Sequence, residues 1–263
     1  MIDAAYLQEF AYLRDVAYLD VASVGLQPER TLSYCRQFQD EFVSSYGRVC
    51  FGPYGRRRRA VKEKIARLIG AADAQGEIVF VRNTTEGNSL LASCYPLRPG
   101  DAVISSASEY PSVVLGWAQR QADGIRLVLA PESNGCLDAD DVIGRMDETV
   151  KVVALSFVQY LSGFRADLKK IGAACRERGI LFHVDGIQGV GRNPVDVREM
   201  CIDVLSCGGF KGLMGPFGVG FVYVRKELLA QLRPYSFNDD NIEADEDALP
   251  QMEALPVFPS RRI

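Results

Sequence analysis

The feature that most constrains this chain is a lysine held among glycines, in the run Gly208-Gly209-Phe210-Lys211-Gly212. A surface lysine ordinarily has polar neighbours, and water solvates its ammonium group. Lys211 has glycine and apolar neighbours on both sides, so we expect it to lie in dry surroundings, close to backbone. Desolvation disfavours the charged form and lowers the pKa of a lysine, as an amine nucleophile requires.

An acidic residue before this lysine also lies at the end of a predicted strand. The apolar run 180–184 predicts a buried strand that ends at Asp185, and the run 203–207 predicts the strand that leads to Lys211. An acid after one strand and a lysine after the next suggest a carbonyl cofactor between them. Pyridoxal phosphate fits, since a lysine forms a Schiff base with it and a carboxylate keeps its pyridine nitrogen protonated. From these residues alone, this is one hypothesis among others.

Two longer motifs surround these residues, HVDGIQGVG and SCGGFKGLMGPFGVGFVYV. They resemble the class V aminotransferases, the family of the cysteine desulfurases and isopenicillin epimerase, over residues 18–233. The resemblance implies a fold type I pyridoxal phosphate enzyme, an α/β protein whose mostly parallel central sheet is sandwiched by helices. It implies that Lys211 binds the cofactor covalently and that Asp185 faces the pyridine nitrogen. Gln188 matches the position whose amide contacts the cofactor's phenolic oxygen or the lysine.

Residues 82–87 link a predicted strand to a predicted helix. Backbone N–H groups at a helix start bind anions, although a plain capping box also explains a threonine followed by a glutamate. The run NTTEGN resembles the family's phosphate-binding motif. The resemblance implies that Thr85, with the backbone of Thr84 and Glu86, holds the cofactor phosphate.

Three further positions bear on the site through the resemblance. The family places an aromatic ring against the pyridine where this chain has Tyr110, which we predict to be catalytic beside Lys211 and Asp185. Desulfurases use histidine there, and a phenol of pKa about 10 transfers protons less readily near neutral pH. Gln159 matches a polar contact to the cofactor. At the positions of Gly208 and Phe210, desulfurases have two residues that donate hydrogen bonds to the phosphate, and this chain lacks both donors. The single histidine of the chain, His183, lies inside a predicted strand, and we expect it to be structural.

Composition limits the other classes of function. The 263 residues are 48% hydrophobic and carry 30 basic against 34 acidic side chains, a formal net charge of −4. The sequence has no long stripe of basic residues, so it does not predict nucleic-acid binding. No apolar run approaches the ~20 residues of a membrane helix, so we expect a soluble, cytoplasmic protein without a membrane partner. The seven cysteines form no CxxC pair, and we predict no metal site and no disulfide framework.

Alternating apolar runs and helical patterns between residues 78 and 178 predict repeated βα units and a parallel sheet. We divide the chain into an N-terminal extended segment (1–20), a cofactor-binding large domain (21–233) and an acidic, proline-bearing tail (234–263). In the family, that tail leads into a small domain whose arginine binds the substrate carboxylate. We expect this small domain to be missing here.

The sequence therefore predicts an enzyme that acts on an amino acid through a Schiff base, as a homodimer. Transaminase, lyase and epimerase chemistry stay open. Classical desulfuration is disfavoured, because neither Cys201 nor Cys207 is placed as a nucleophile. The alternative is a non-catalytic or truncated homologue that binds the cofactor and acts as a partner subunit.

Overall fold

A computed structural model describes residues 4–13, 15–50 and 52–233 of the chain. The tail predicted at 234–263 lies outside the described residues. The strands are β1 (Ile78–Val81), β2 (Ala102–Ser106), β3 (Arg126–Ala130), β4 (Val150–Ser156), β5 (Leu181–Asp185), β6 (Val204–Gly208) and β7 (Gly220–Val224). The helices are α1 (Ala4–Glu9), α2 (Glu29–Ser44), α3 (Pro53–Ile69), α4 (Ala74–Glu77), α5 (Thr84–Cys94), α6 (Pro111–Gln119), α7 (Ala139–Gly144) and α8 (Leu168–Arg178).

The seven described strands form one sheet in the order β1-β7-β6-β5-β4-β2-β3. Strands β2 to β6 pair in parallel, and β7 runs antiparallel to both of its neighbours, β1 and β6. The predicted mostly parallel sheet is confirmed. The sequence did not predict β7. Residues 209–219 join β6 to β7, and this connection is shorter than the roughly dozen residues of a parallel crossover, so the chain returns antiparallel.

Helices cover both faces of the sheet because alternate strand residues point to opposite faces. Val153 and Leu155 of β4 belong to the core cluster that includes residues of α3, α7 and α8. Val152 and Ala154 belong to the cluster that includes residues of α5 and α6, among them the fully buried Trp117. All five residues of β2, β5, β6 and β7 are buried. This double burial explains the unbroken apolar runs.

The N-terminal segment departs from the prediction. It was expected to be extended over residues 1–20, but α1 occupies Ala4–Glu9 and a 3-10 helix follows at Ala11–Leu13. Its alanine, leucine, glutamine and glutamate are good helix formers, which the prediction overlooked. Helix α3 is followed by Gly70, which caps it in the left-handed conformation at a φ of 72°. None of the helices in the described ranges is long and apolar enough to cross a membrane.

Candidate active site

The carboxyl ends of the central strands form the floor of the site. In the register of the sheet, Ser156 at the end of β4 lies beside Asp185 at the end of β5, and Asp185 lies beside Ser206 of β6. The first residue of α5, Thr84, reaches the same edge, where its Oγ1 accepts a hydrogen bond from the Gly208 N–H at 2.9 Å. The loop with Lys211 follows β6. Parallel strands thus bring together residues far apart in the chain.

These residues line a cavity of about 250 Å³. Its described lining mixes polar and apolar side chains: Asn83, Thr84, Thr85, Tyr110, Ser112, Ser156, Val158, Tyr160, Asp185, Ile187, Gln188, Phe210 and Lys211. Six of the eight predicted site residues are therefore brought to one cavity. Glu86 and Gln159 are not among this described lining.

Asp185 is a buried carboxylate that is only partly satisfied by hydrogen bonds. It is 2% exposed, and it accepts hydrogen bonds from Asn88 Nδ2 at 2.9 Å and from the Ile187 N–H at 3.0 Å. Burial raises its pKa to about 6, because desolvation disfavours the anion more than these donors favour it. A cation in direct contact with the carboxylate would favour the charged form. A protonated ring nitrogen meets that need, so this acid fits the pyridine of pyridoxal phosphate.

Lys211 also lines the cavity, on a loop whose backbone is held by hydrogen bonds. The Phe210 carbonyl accepts from the Gly25 N–H at 2.9 Å, and the Lys211 carbonyl accepts from the Met214 N–H at 2.9 Å. Its ammonium makes no hydrogen bond or ion pair with the described residues. Desolvation lowers the pKa of Lys211, although Asp185 opposes that shift. Lys211 is half-buried and lies on a loop held by backbone hydrogen bonds, and its predicted role stays a prediction.

The start of α5 supplies donors for an anion, but not all of those predicted. Asn83 is the N-cap, and its side chain accepts from the Glu86 N–H at 2.8 Å. The Glu86 carboxylate pairs with Arg82 at 2.9 Å, outside the cavity lining. The N–H groups of Thr84 and Thr85 stand in the first turn, where a helix has no partner of its own for them. The predicted role of the Glu86 backbone is thus not supported, because the cap occupies its N–H.

Tyr110 precedes α6 and is 44% exposed at the mouth of the cavity. Its ring packs edge-on against Tyr160, with 5.1 Å between centroids. The second ring was not predicted. Tyr160 follows Gln159 directly, so an aromatic residue next to a predicted contact was the available signal.

A buried glutamate was also missed. Glu109 is 8% exposed and accepts hydrogen bonds from the N–H and hydroxyl of Ser156, from the Tyr110 N–H and from Gln159 Nε2. Burial raises the pKa of Glu109, and its charge in turn contributes to the raised pKa of Asp185. Gln159 is 3% exposed, and its Oε1 has no partner among the described residues. Its amide therefore contacts Glu109, and its predicted cofactor contact stays a prediction.

Gln188 lines the cavity, but its amide is directed to the N-terminal segment. Its Nε2 donates to the Ala22 carbonyl at 2.9 Å, and its Oε1 accepts from Arg192 at 3.0 Å. Arg192 also donates to the Val21 carbonyl. The amide therefore has protein partners on both its nitrogen and its oxygen, and its predicted contact with the phenolic oxygen or the lysine stays a prediction.

His183 lies fully buried within β5, and its Nε2 is 3.3 Å from Ser206 Oγ. Complete burial lowers its pKa to about 3. The imidazole ring is therefore neutral near pH 7 and packs in the protein interior, in agreement with a structural role for this histidine.

The comparison with known families decides the identity. The family model for aminotransferase class-V matches residues 17–248. The chain belongs to the class-V aminotransferase family. Pyridoxal phosphate is the cofactor of this family. The family resemblance stated from HVDGIQGVG and the lysine motif is confirmed.

Class-V relatives are similar over most of this chain. A probable cysteine desulfurase of Methanothermobacter thermautotrophicus is 30% identical over 257 residues, covering 97% of this chain and 63% of its own length. Cysteine desulfurase CsdA of Escherichia coli is 31% identical over 241 residues, or 88% of this chain and 60% of its own. The chain thus spans less than two thirds of the length of these relatives.

Solved class-V structures show the same fold. The crystal structure of CsdA from Escherichia coli matches with a TM-score of 0.83 at 26% identity, covering 99% of this chain and 66% of that one. The apo cysteine desulfurase of Thermococcus onnurineus NA1 matches with a TM-score of 0.85 at 24% identity, covering 100% and 66%.

Proposed function

We propose that this chain is a pyridoxal phosphate-dependent enzyme, or a part of one, that acts on an amino acid. One observation carries the proposal: Asp185 and Lys211, from neighbouring strand ends, line one cavity together with the start of α5. The buried acid, the desolvated amine and the helix N-terminus match the ring nitrogen, the aldehyde and the phosphate of that cofactor. Family membership supports the same conclusion.

Each residue has a separable task in this proposal. Lys211 binds the cofactor covalently, Asp185 holds the ring nitrogen protonated, and the N–H groups of Thr84 and Thr85 with the Thr85 hydroxyl hold the phosphate. Tyr110, which lines the cavity, would help to hold the ring. When bound, the cofactor supplies an electron sink for the charge left when a bond to the substrate's α-carbon breaks.

Once released from the cofactor, Lys211 would be free to accept a proton from the α-carbon at its Nζ. Its lowered pKa increases the fraction of neutral amine near pH 7, and only the neutral amine can accept a proton. In the cofactor-free protein, burial raises the pKa of Asp185 although the charge of Lys211 opposes that shift. A cation close to the carboxylate favours its ionised form and lowers that pKa.

Lyase, epimerase and transaminase chemistry all start from these residues. No cysteine is among the described residues that line the cavity, and burial raises the pKa of Cys207. The described residues therefore favour chemistry at the α- or β-carbon over transfer of sulfur to a cysteine of this segment. The complete set of Lys211, Asp185 and Thr85 favours an enzyme over a non-catalytic partner subunit.

We further propose that the protein works as a homodimer, since the described donors for the phosphate are few and a second subunit can add others. Light scattering should then give about twice the 29.0 kDa mass of the chain. A cytoplasmic location stays a prediction from the sequence.

Cofactor titration tests the proposed function. The wild-type chain mixed with pyridoxal phosphate should acquire a near-visible absorption band, and borohydride reduction should fix the cofactor on the peptide that contains Lys211. Lys211→Ala should lose that covalent attachment. Lys169→Ala, which removes an exposed lysine of α8, should keep it. Attachment that persists in Lys211→Ala, or that never forms in the wild type, would refute the assignment.

A further inference from the structure

Asn88 is a buried side chain of α5 that reaches the acid at the end of β5. It is 1% exposed, and its Nδ2 donates to Asp185 Oδ2 at 2.9 Å and to Ser112 Oγ at 3.3 Å. Its Oδ1 has no partner among the described residues. A buried acceptor without a partner costs stability, and an apolar side chain of similar size would avoid that cost. What the asparagine adds in return is a donor to Asp185.

The direction of this amide suits the ionised form of the acid. A carboxylate only accepts hydrogen bonds, whereas a carboxylic acid also has a proton to donate. The nitrogen of Asn88, and not its oxygen, is turned toward Oδ2 of Asp185. The other carboxylate oxygen, Oδ1, accepts from the Ile187 N–H at 3.0 Å. Each oxygen of the acid therefore has one donor.

Helix α5 brings Asn88 to this point because it lies close to the sheet. Thr84 and Asn88 are four residues apart, so they share one face of the helix. Thr84 lines the cofactor cavity, and Asn88 reaches Asp185 one turn later. Gly87 permits the close approach, since a Cβ at this position would lie 2.6 Å from Cγ2 of Val222. The helix whose start faces the cavity thus also holds the acid.

Several groups act on the Asp185 carboxylate from the surrounding elements. Burial has the largest effect and raises its pKa to about 6, and the charge of Glu109 adds to that rise. A backbone N–H, the amide of Asn88 and the charge of Lys211 oppose it. Cys207 of β6 is a neutral thiol near pH 7, because burial raises its pKa. Within the described ranges, Asn88 is the side chain that donates a hydrogen bond to this acid.

We infer that Asn88 is a positioning residue, which holds the Asp185 carboxylate ionised beside the ring nitrogen of the bound cofactor. This inference rests on the proposed function. A proton between a buried carboxylate and a pyridine nitrogen can reside on either group. A hydrogen bond donated to the carboxylate favours the ionised acid, and with it the protonated ring. Asn88 therefore helps to keep the ring in the form that withdraws electrons from the substrate.

The test places an isotope on each side of that proton. Pyridoxal phosphate carries nitrogen-15 in its ring, and the protein carries carbon-13 in its aspartate carboxyl groups, with the Asp185 resonance assigned by its absence from Asp185→Asn. Nuclear magnetic resonance then reports the protonation of the ring in the loaded protein. In the cofactor-free protein it reports the pH midpoint at which Asp185 titrates.

Two variants remove the donor. Asn88→Ala deletes the amide, and Asn88→Leu replaces it by an apolar group of similar size. In both, the ring resonance should move toward that of the neutral pyridine. The Asp185 midpoint should rise by at least about one pH unit, about tenfold in proton affinity, the scale for losing a hydrogen bond to a charged group. Ser89→Ala, at the next residue of α5 and outside the described lining, should change neither quantity.

The two resonances separate this role from a merely structural one. If Asn88 only packs α5 against the sheet, its variants would lose thermal stability while both resonances stay in place, and that result would overturn the inference but leave the proposed function standing. If the variants no longer hold the cofactor, the Asp185 midpoint in their cofactor-free forms decides. A wild type that never binds the cofactor would refute the proposed function, and the inference with it.

Discussion

Two buried groups on one strand should give the cofactor-free protein an unusual dependence of stability on pH. The pKa of His183 is lowered from 6.5 to about 3, because full burial disfavours the imidazolium. The pKa of Asp185 is raised from 3.8 to about 6, because burial disfavours the carboxylate. Each pKa unit corresponds to about 1.4 kcal/mol, so the full effects are on the order of 5 kcal/mol for the histidine and 3 kcal/mol for the acid.

The two effects have opposite signs. Below pH 6.5 the unfolded chain protonates His183 while the folded protein does not, so acidification lowers the free energy of unfolding until about pH 3. Between about pH 6 and 3.8 the folded protein protonates Asp185 while the unfolded chain does not, so acidification raises it. Over the window that both share, from pH 6 to 4, the contributions of these two groups should cancel.

Single substitutions should expose each contribution. His183→Gln keeps a group able to bond with Ser206, and Asp185→Asn keeps an acceptor for the Ile187 N–H. Relative to wild type, the free energy of unfolding of His183→Gln should rise by about 1.4 kcal/mol for each unit of acidification from pH 6 to 4. That of Asp185→Asn should fall by the same amount. Other carboxylates titrate alike in all three proteins, so they drop out of these differences.

Urea unfolding of the three cofactor-free proteins at half-unit pH steps measures these slopes. Bound cofactor must be absent, since a ligand that binds only the folded state adds its own pH dependence. Curves for His183→Gln and wild type that run parallel between pH 6 and 4 would refute the argument that His183 is neutral in the folded protein.

Three other expectations concern the site and its surroundings. Gly25→Ala would place a Cβ 1.9 Å from the Lys211 carbonyl oxygen. Thermal melts should therefore show a loss of about 1–3 kcal/mol in the free energy of unfolding, and cofactor binding should weaken. Gly144→Ala, whose Cβ would lie in open space, should change neither quantity. Asp185→Asn should retain bound cofactor by absorbance but lose most turnover of any amino acid that wild type converts, and full turnover would show that the acid does not support the electron sink. Iodoacetamide should label the exposed cysteines of the folded protein and spare the buried ones. Mass mapping should show Cys50 and Cys136 modified and Cys94, Cys175 and Cys207 intact. Burial raises the pKa of Cys175 to about 12, so rapid labelling of Cys175 would contradict its described burial.

The sequence by itself determined the local features of this protein. Unbroken apolar runs predicted the parallel strands, because a strand buried on both faces has no polar side to display. A carboxylate after one run and a lysine among glycines after the next predicted the pair at the centre of the site. The start of α5 was visible as NTTEGN, since the residues that cap a helix and bind an anion are neighbours in the chain.

Only the tertiary structure decided which polar groups meet. The amide of Gln188 bonds to Ala22, 166 positions away, and Asp185 bonds to Asn88, 97 positions away. No local pattern encodes such a pair, because each partner is chosen by strand order and loop path. The buried Glu109 was missed for the same reason, since its partners Ser156 and Gln159 are distant in the chain. Hydrogen-bond partners are set by the packing of distant segments, so the bond from Arg192 to the Val21 carbonyl could not be predicted from the sequence.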